Sequence, residues 1–151
     1  MNDTRSNIGC IPKLSENSAR FPYHDYFVTV SPDDIDLNDH ANNVVYLRWV
    51  QEAATDHWEH AVPPELALAH TWVVTRHEID YKHSARLGET LRVRTWVTSM
   101  SALTSERLCD IWRDTDNKLI AKVRTLWCTV NPATGRPRRM SSGIPDYFGL
   151  E

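Results

Sequence analysis

Residues 42–61 read NNVVYLRWVQEAATDHWEHA, and their apolar side chains recur with the period of an α-helix. When successive residues are placed about 100° apart, one contiguous face collects Trp49, Ala53, Tyr46, His57, Val50, Ala61, Ala54, Leu47 and Trp58. The opposite face is charged or polar. An apolar arc this wide predicts a helix that packs broadly against a sheet. We expect His57, within that arc, to be a buried histidine with a hydrogen-bond partner, and Pro63 and Pro64 to end the helix.

Five stretches rich in β-branched and aromatic residues predict strands, one before the helix and four after it. They are DYFVTVS (25–31), HTWVVTRHEIDY (70–81), ETLRVRTWVTSM (89–100), LTSERLCDIWRD (103–114) and KLIAKVRTLWCTVN (118–131). Short turn sequences between the last three predict antiparallel hairpins. The order of elements predicts an α+β fold in which one long helix lies on a five-stranded antiparallel sheet. Because such a sheet has open edges, we predict a homodimer or a homotetramer.

The composition limits the classes of function. With 151 residues the chain is the size of one domain, for which we expect residues 21–151, after a polar and mobile arm of residues 1–20. The net charge of -3 argues against nucleic acid as a partner. Neither a membrane span nor a signal peptide is evident, which predicts a cytoplasmic protein. Cys10, Cys109 and Cys128 are widely spaced and predict free thiols.

The loop before the helix, SPDDIDLNDH (31–40), has more acidic residues than a helix cap requires. One interpretation is structural: Asn38, Asp39 or Asn42 caps the helix, and the other acids lie near the positive end of its dipole. A metal site is disfavoured, because the loop lacks the regular spacing of calcium ligands and the nitrogen or sulfur ligands of zinc. We therefore expect no metal and no cofactor.

The other interpretation is catalytic. Free N–H groups at a helix N-terminus stabilise a carbonyl oxygen that gains negative charge, and a nearby carboxylate can attack the carbonyl or activate water. The sequence has no GxSxG motif for a serine nucleophile. A thiolate leaves more readily than an alkoxide or an amine, so this small set of groups is suited to thioester hydrolysis.

Two segments resemble hotdog-fold acyl-CoA thioesterases of the 4-hydroxybenzoyl-CoA thioesterase type. DIDLNDHANNVVYLRWVQEA (34–53) is similar to their D-x-D-x-x-G-H-V-N-N-x-x-Y motif, and HEIDYKHSARLGETLRVRTWV (77–97) to their Y-x-x-x-A-x-x-G-[DE]-x-L connection. The resemblance extends from about residue 23 to 147. It implies a helix wrapped by an antiparallel sheet, edge-to-edge dimers, active sites at the subunit interface, and an acyl-CoA substrate.

The resemblance also implies roles for four residues. Asp36 falls where the family places its catalytic carboxylate, as general base or nucleophile, and Asn43 where a backbone N–H polarises the thioester carbonyl. His40 and Tyr46 match the motif as substrate-binding residues. The alternative for His40 is that it orders the loop, and the alternative for Tyr46 is that it belongs to the core. Asp39 occupies the position of the family glycine, so it must adopt a conformation that favours glycine, and it adds a negative charge beside the reacting centre.

An acyl-CoA enzyme needs cationic groups for the phosphates of coenzyme A. Two sets of basic residues are candidates. The first is Lys82, His83 and Arg86, and the second is Arg136, Arg138 and Arg139. Solvated surface charge is the simpler explanation of both sets. Two other functions remain open. The first is a thioesterase of the same fold that acts on acyl groups attached to a carrier protein, with the C-terminal arginines as a docking patch for that protein. The second is a module that binds acyl thioesters without turnover.

Overall fold

The computed structural model describes residues 22–150. The predicted arm, residues 1–20, lies outside this range, as does Cys10. The elements are strand β1 (Tyr23–Thr29), helix α1 (Asn43–Ala61), helix α2 (Pro64–Leu68), and strands β2 (Thr71–Tyr81), β3 (Thr90–Met100), β4 (Thr104–Arg113) and β5 (Lys118–Val130). Two 3-10 turns span Pro32–Asp34 and Ile144–Phe148.

The strands form one antiparallel sheet in the order β1-β3-β4-β5-β2. Strands β3, β4 and β5 are joined by consecutive hairpins, as their turn sequences predict. The chain crosses from one edge of the sheet to the other between β1 and β2, through α1 and α2, and crosses back between β2 and β3, which leaves β1 and β2 as the two edges. The predicted α+β fold, with one long helix and five antiparallel strands, is confirmed.

The core lies between α1 and the sheet. It joins one face of the helix to alternate residues of the strands, and it includes Val45, Tyr46, Trp49, Val50, Ala53, Leu91, Val93, Ile111, Ile120 and Val123. Trp49 is only 1% exposed. Burying a large apolar side chain of this kind stabilises a fold by about 1.5–3 kcal/mol, so the periodicity of residues 42–61 supplies much of the force that holds α1 on the sheet.

Two local features differ from the sequence-based expectation. Residues after Pro63 form the short helix α2, because proline is well tolerated at the first helical position, where its missing N–H is not needed. The arginine-rich segment 135–140 is exposed, but Ile144 and Phe148 beyond it are fully buried beside Val62 and Val97. A single 3-10 turn is too short to show a hydrophobic period.

Cys109 and Cys128 are free thiols, as predicted. Within residues 22–150, no helix is long and apolar enough to cross a bilayer.

Candidate functional site

The acidic loop uses one of its aspartates as a structural anchor. Asp34 is 2% exposed, and its Oδ2 accepts hydrogen bonds from the Ser31 backbone N–H (2.9 Å) and hydroxyl (3.1 Å). Its Oδ1 accepts from Arg48 Nη2 of α1 at 2.6 Å. Burial acts to raise the pKa of the Asp34 carboxyl, but the hydrogen bonds from Ser31 and Arg48 outweigh it and hold that pKa below its usual range. Asp34 therefore fixes the loop to the helix.

Asp36 begins a tight reversal of the chain. Its backbone N–H donates to the His40 carbonyl (2.9 Å), and its own carbonyl accepts from the Asp39 N–H (3.2 Å). Ile35 and Ala41 are paired across the same reversal. The Asp36 Oδ1 accepts from the Asn38 N–H at 2.8 Å, and within residues 22–150 its Oδ2 has no partner. The carboxylate is thus held by one oxygen while the other is free to act.

Asp39 has φ of 59°, in the left-handed region that favours glycine. The expectation from the family motif is confirmed: aspartate adopts the conformation that the reversal requires. Aspartate tolerates this region better than most residues. Asp39 therefore allows the reversal of the chain that begins at Asp36.

This strain can be measured by comparing Asp39→Gly with Asp39→Ala. Because the Asp39 side chain is exposed, its removal alone should matter little. We expect the glycine variant to be more stable than the alanine variant by about 1 kcal/mol, measured by urea unfolding. Equal stability of the two variants would show that the positive φ carries no cost here.

The N-terminus of α1 faces the same region. Asn42 caps the helix, because its Oδ1 accepts from the Val44 N–H at 3.1 Å. Of the three candidates for this cap, Asn38, Asp39 and Asn42, the helix uses Asn42. In the part of the chain that the structure describes, the Asn43 N–H has no acceptor. It remains available to a ligand at the positive end of the helix dipole.

Tyr46 belongs to the core and also orders the chain after β2. It is 2% exposed and packs edge-on against Trp49 and Tyr81. Its hydroxyl accepts a hydrogen bond from the Ala85 N–H at 3.0 Å and thereby fixes the chain that follows β2. Burial raises the pKa of the Tyr46 hydroxyl above its usual value, so the group stays protonated at neutral pH.

The variant Tyr46→Phe would leave the buried N–H of Ala85 without an acceptor. We expect the free energy of unfolding to fall by about 1–3 kcal/mol, measured by urea unfolding. The matched control is Tyr81→Phe, since the Tyr81 hydroxyl donates to the Asn43 carbonyl in an exposed position (2.8 Å). A loss no larger than that of the control would contradict the positioning role of Tyr46.

A cavity of about 240 Å³ lies where the acidic loop, the start of α1 and the end of β2 meet. All four residues predicted for the site line it, namely Asp36, His40, Asn43 and Tyr46. It is also lined by Tyr81 and Ser84, to which the sequence analysis gave no role. Tyr81 is the first residue of the Y-x-x-x-A motif, and this position in the motif is the sequence feature that indicates a place in the site. The structure thus brings a carboxylate and a free helix N-terminus to one cavity.

The two basic sets lie in different places. Lys82 and His83 line the cavity, whereas Arg86 does not. The set of Arg136, Arg138 and Arg139 follows the far end of β5, where Val130 pairs with Pro137. The cavity is at the other end of that strand, beside Ala121, which pairs with Tyr81. About nine residues of strand, roughly 30 Å, separate the two ends, so within one chain these arginines are remote from Asp36.

His57 is buried, and its Nδ1 accepts a hydrogen bond from Arg107 at 2.9 Å, as expected of a satisfied core histidine.

Among residues 22–150, one group of three side chains is close enough to share a metal ion. These are His24, Asp56 and His60, whose ligand atoms lie within 4.8 Å of one another. The group is outside the cavity that contains Asp36, and a hydrogen bond between His24 and Asp56 accounts for part of it.

The family of the chain follows from comparison with known sequences. A family model described as the thioesterase-like superfamily matches residues 30–146. The chain belongs to the thioesterase-like superfamily. The predicted class of enzyme, a thioester hydrolase, is therefore confirmed. No curated protein matches the chain significantly.

Solved structures of thioesterases share the fold of this thioesterase-like chain. A thioesterase from Thermus thermophilus, complexed with coenzyme A and zinc, is 24% identical over 84% of this chain and 91% of its own, with a TM-score of 0.72. A DHNA-CoA thioesterase from Staphylococcus aureus is 21% identical over 83% and 85%, with a TM-score of 0.75. A probable thioesterase from Escherichia coli is 18% identical over 82% and 94%, with a TM-score of 0.72. The predicted hotdog fold is confirmed.

Proposed function

We propose that this protein is an acyl-CoA thioesterase of the 4-hydroxybenzoyl-CoA thioesterase type, with Asp36 as its catalytic carboxylate. The observation that carries the proposal is that Asp36 and Asn43, at the start of α1, line the same cavity of about 240 Å³. Hydrolysis needs a group that attacks or activates water and a donor for the developing oxyanion. Asp36 supplies the first, and the Asn43 N–H supplies the second.

In the general-base route, Asp36 accepts a proton from water while the water oxygen bonds to the carbonyl carbon. The carbonyl oxygen becomes negative and is stabilised by the Asn43 N–H and the helix dipole. When the carbonyl reforms, the C–S bond breaks and coenzyme A leaves as the thiolate, which takes up the proton held by Asp36. In the nucleophilic route, the Asp36 oxygen attacks the carbonyl carbon, the C–S bond breaks and the thiolate leaves, so that an anhydride remains; water then hydrolyses it to the acid and the Asp36 carboxylate. Both routes end in a free acid and coenzyme A.

Coenzyme A as the thiol carrier is supported by the Thermus thermophilus structure, whose complex contains coenzyme A. Lys82 and His83 line the cavity and are suited to meet its phosphates from the same chain. The proposal places the enzyme in the cytoplasm, as its sequence predicts. Asn43 offers its backbone, and His40 and Tyr46 contact the acyl or pantetheine portion.

A homodimer or homotetramer is part of the same proposal. Strand β2 is an edge of the sheet, and eleven residues of it are available for pairing with a second copy. Tyr81, at the end of β2, lines the cavity. A partner paired along β2 would therefore reach the site. We expect light scattering at micromolar concentration to give at least twice the 17.4 kDa of one chain; a monomer would contradict an interface site.

The activity is tested by incubating the full chain with a panel of aromatic and aliphatic acyl-CoA esters and measuring the release of free thiol. We expect saturable hydrolysis of at least one ester. The same acyl groups attached to a carrier protein are tested in parallel. A much faster hydrolysis of these substrates than of the acyl-CoA esters would show that the natural substrate is an acyl-carrier-protein thioester. Saturable binding of acyl-CoA without thiol release would contradict catalysis.

A further inference from the structure

A second cavity, of about 280 Å³, lies near the other end of α1. It is enclosed by the second half of α1, helix α2 and strands β2, β3, β4 and β5, and its lining includes Trp58, Trp72, Met100, Ser105, Arg107 and Trp127. Thr55 of α1 also lines it, whereas Asn43 of α1 lines the first cavity. Twelve residues of helix, about 18 Å, separate these two positions. The second cavity is therefore a separate site within the chain.

Arg107 is a buried cation in the wall of this cavity, and it is 6% exposed. Its Nη1 donates hydrogen bonds to His57 Nδ1 (2.9 Å) and to the Thr95 hydroxyl (3.1 Å). Both acceptors are uncharged. The Thr95 hydroxyl is neutral, and His57 is neutral at pH 7 because burial and the Arg107 charge lower the pKa of His57 to about 3. Burial also lowers the pKa of Arg107 to about 10, so the guanidinium remains charged at neutral pH.

No carboxylate in residues 22–150 forms an ion pair with this guanidinium, although most other arginines on the sheet have one. Its Nε and Nη2 groups have no acceptor in the same range. Arg107 is one of the residues that line the cavity, so a ligand bound there would lie beside this guanidinium. The ring of Phe148, 5.9 Å from the guanidinium carbon, provides an aromatic contact but no negative charge.

A buried charge without a partner costs several kcal/mol, and an anion in the cavity would offset this cost. The N–H groups of a guanidinium match the two oxygens of a carboxylate, and the buried Ser105 hydroxyl is a further donor beside them. One cation and one hydroxyl suit a singly charged carboxylate better than a phosphate, which carries more charge and needs more donors. The three tryptophans and Met100 form an apolar wall for the rest of the ligand.

We propose that this cavity binds a small organic carboxylate with an apolar body, whose carboxylate pairs with Arg107 and whose body packs against Trp58, Trp72 and Trp127. The proposal does not depend on the chemistry assigned to Asp36. Such a ligand has the chemical form of the acid that thioester hydrolysis releases, but it occupies a different cavity from the one that contains Asp36.

The test is titration of the full chain with sodium octanoate and sodium phenylacetate, followed by tryptophan fluorescence and calorimetry. The neutral controls are octanamide and phenylacetamide, which keep the apolar body and remove the charge. We expect at least one acid to bind saturably and its amide to bind at least about tenfold more weakly, since charge-assisted hydrogen bonds to a buried group contribute more than 1.4 kcal/mol. No saturable binding of either acid, or equal binding of acid and amide, would overturn the proposal.

Two variants locate the site. Arg107→Met removes the charge but keeps an apolar side chain of similar length, and should weaken binding of the acid at least about tenfold without affecting the amide. Ala67→Phe fills the cavity from α2 with Arg107 unchanged, and should abolish binding of both ligands. If Arg107→Met does not fold, the Ala67→Phe variant alone decides whether the ligand binds in this cavity. Arg76→Met, on the exposed surface of β2, is the matched control and should bind as the wild type does.

Asp36→Asn should also bind the acid with unchanged affinity, because Asp36 lies in the other cavity. This result separates the two proposals, because hydrolysis depends on Asp36 whereas binding of the acid does not. Retained binding of the acid by both Arg107→Met and Ala67→Phe would place the ligand elsewhere and overturn the inference.

Discussion

Asp36→Asn is expected to lower kcat/KM for acyl-CoA hydrolysis by at least about 100-fold, which is the lower range for loss of a general base. The amide can still accept the hydrogen bond that Asn38 donates to Oδ1, so the loop should keep its shape. It cannot accept a proton from water or form an anhydride. The measurement is thiol release with the best substrate of the acyl-CoA panel.

The control for this variant is Asp33→Asn, which removes a charge from the same loop. Asp33 is exposed and does not line the cavity. It should retain the wild-type rate, and both variants should unfold within about 0.5 kcal/mol of the wild type. Near-wild-type turnover by Asp36→Asn would show that another group activates the nucleophile.

Asp34→Ala is expected to have the opposite profile, with a large loss of stability and retained chemistry in the folded fraction. The substitution removes the acceptor of both Ser31 hydrogen bonds and of the bond from Arg48. Because Asp34 is 2% exposed, water does not readily replace these bonds. We expect the free energy of unfolding to fall by about 3 kcal/mol, measured by urea unfolding at pH 7, while Asp33→Ala should change it by less than about 0.5 kcal/mol.

The same contribution should depend on pH. The pKa of Asp34 is lower in the folded chain than its ordinary value, so the unfolded chain binds a proton first as the pH falls. The stabilisation by Asp34 is thus fully present above about pH 5 and is lost as the pH falls through 4 and towards the folded pKa. The difference between wild type and Asp34→Ala should shrink over that range. A difference that stays constant down to pH 3 would show that the charge of Asp34 contributes nothing.

Together these variants divide the acidic loop into two roles. Asp34 and Asp36 are two residues apart, yet one side chain is buried against Arg48 and the other lines a cavity. The sequence alone does not show that Asp34 anchors the loop, since Asp33, Asp34 and Asp39 all lie close to the positive end of the helix dipole. Burial and hydrogen-bond partners, which come from the packing of the loop against α1, separate them.

The secondary structure could be predicted closely because it depends on local patterns. Helix α1 begins one residue after the cap Asn42 and ends at Ala61, as its period indicates. Strands β3, β4 and β5 lie within a residue or so of their predicted bounds. Helix α2 and the turn at Ile144–Phe148 were missed, because five residues hold too little periodicity to be distinguished from a loop.

The sequence by itself determined the order of elements, because hydrophobic periodicity and turn residues are local patterns, and its resemblance to the family motif indicated the left-handed conformation at Asp39 and the candidate carboxylate. It left three candidates for the cap of α1, of which the folded chain uses Asn42. Only the tertiary structure decided that Tyr46 accepts from Ala85, 39 residues away, and that Arg107 meets His57, 50 residues away. Such contacts depend on how the strands pair and how the helix lies on them. Hydrophobic periodicity specifies which face of an element is buried, but not which polar group it meets there.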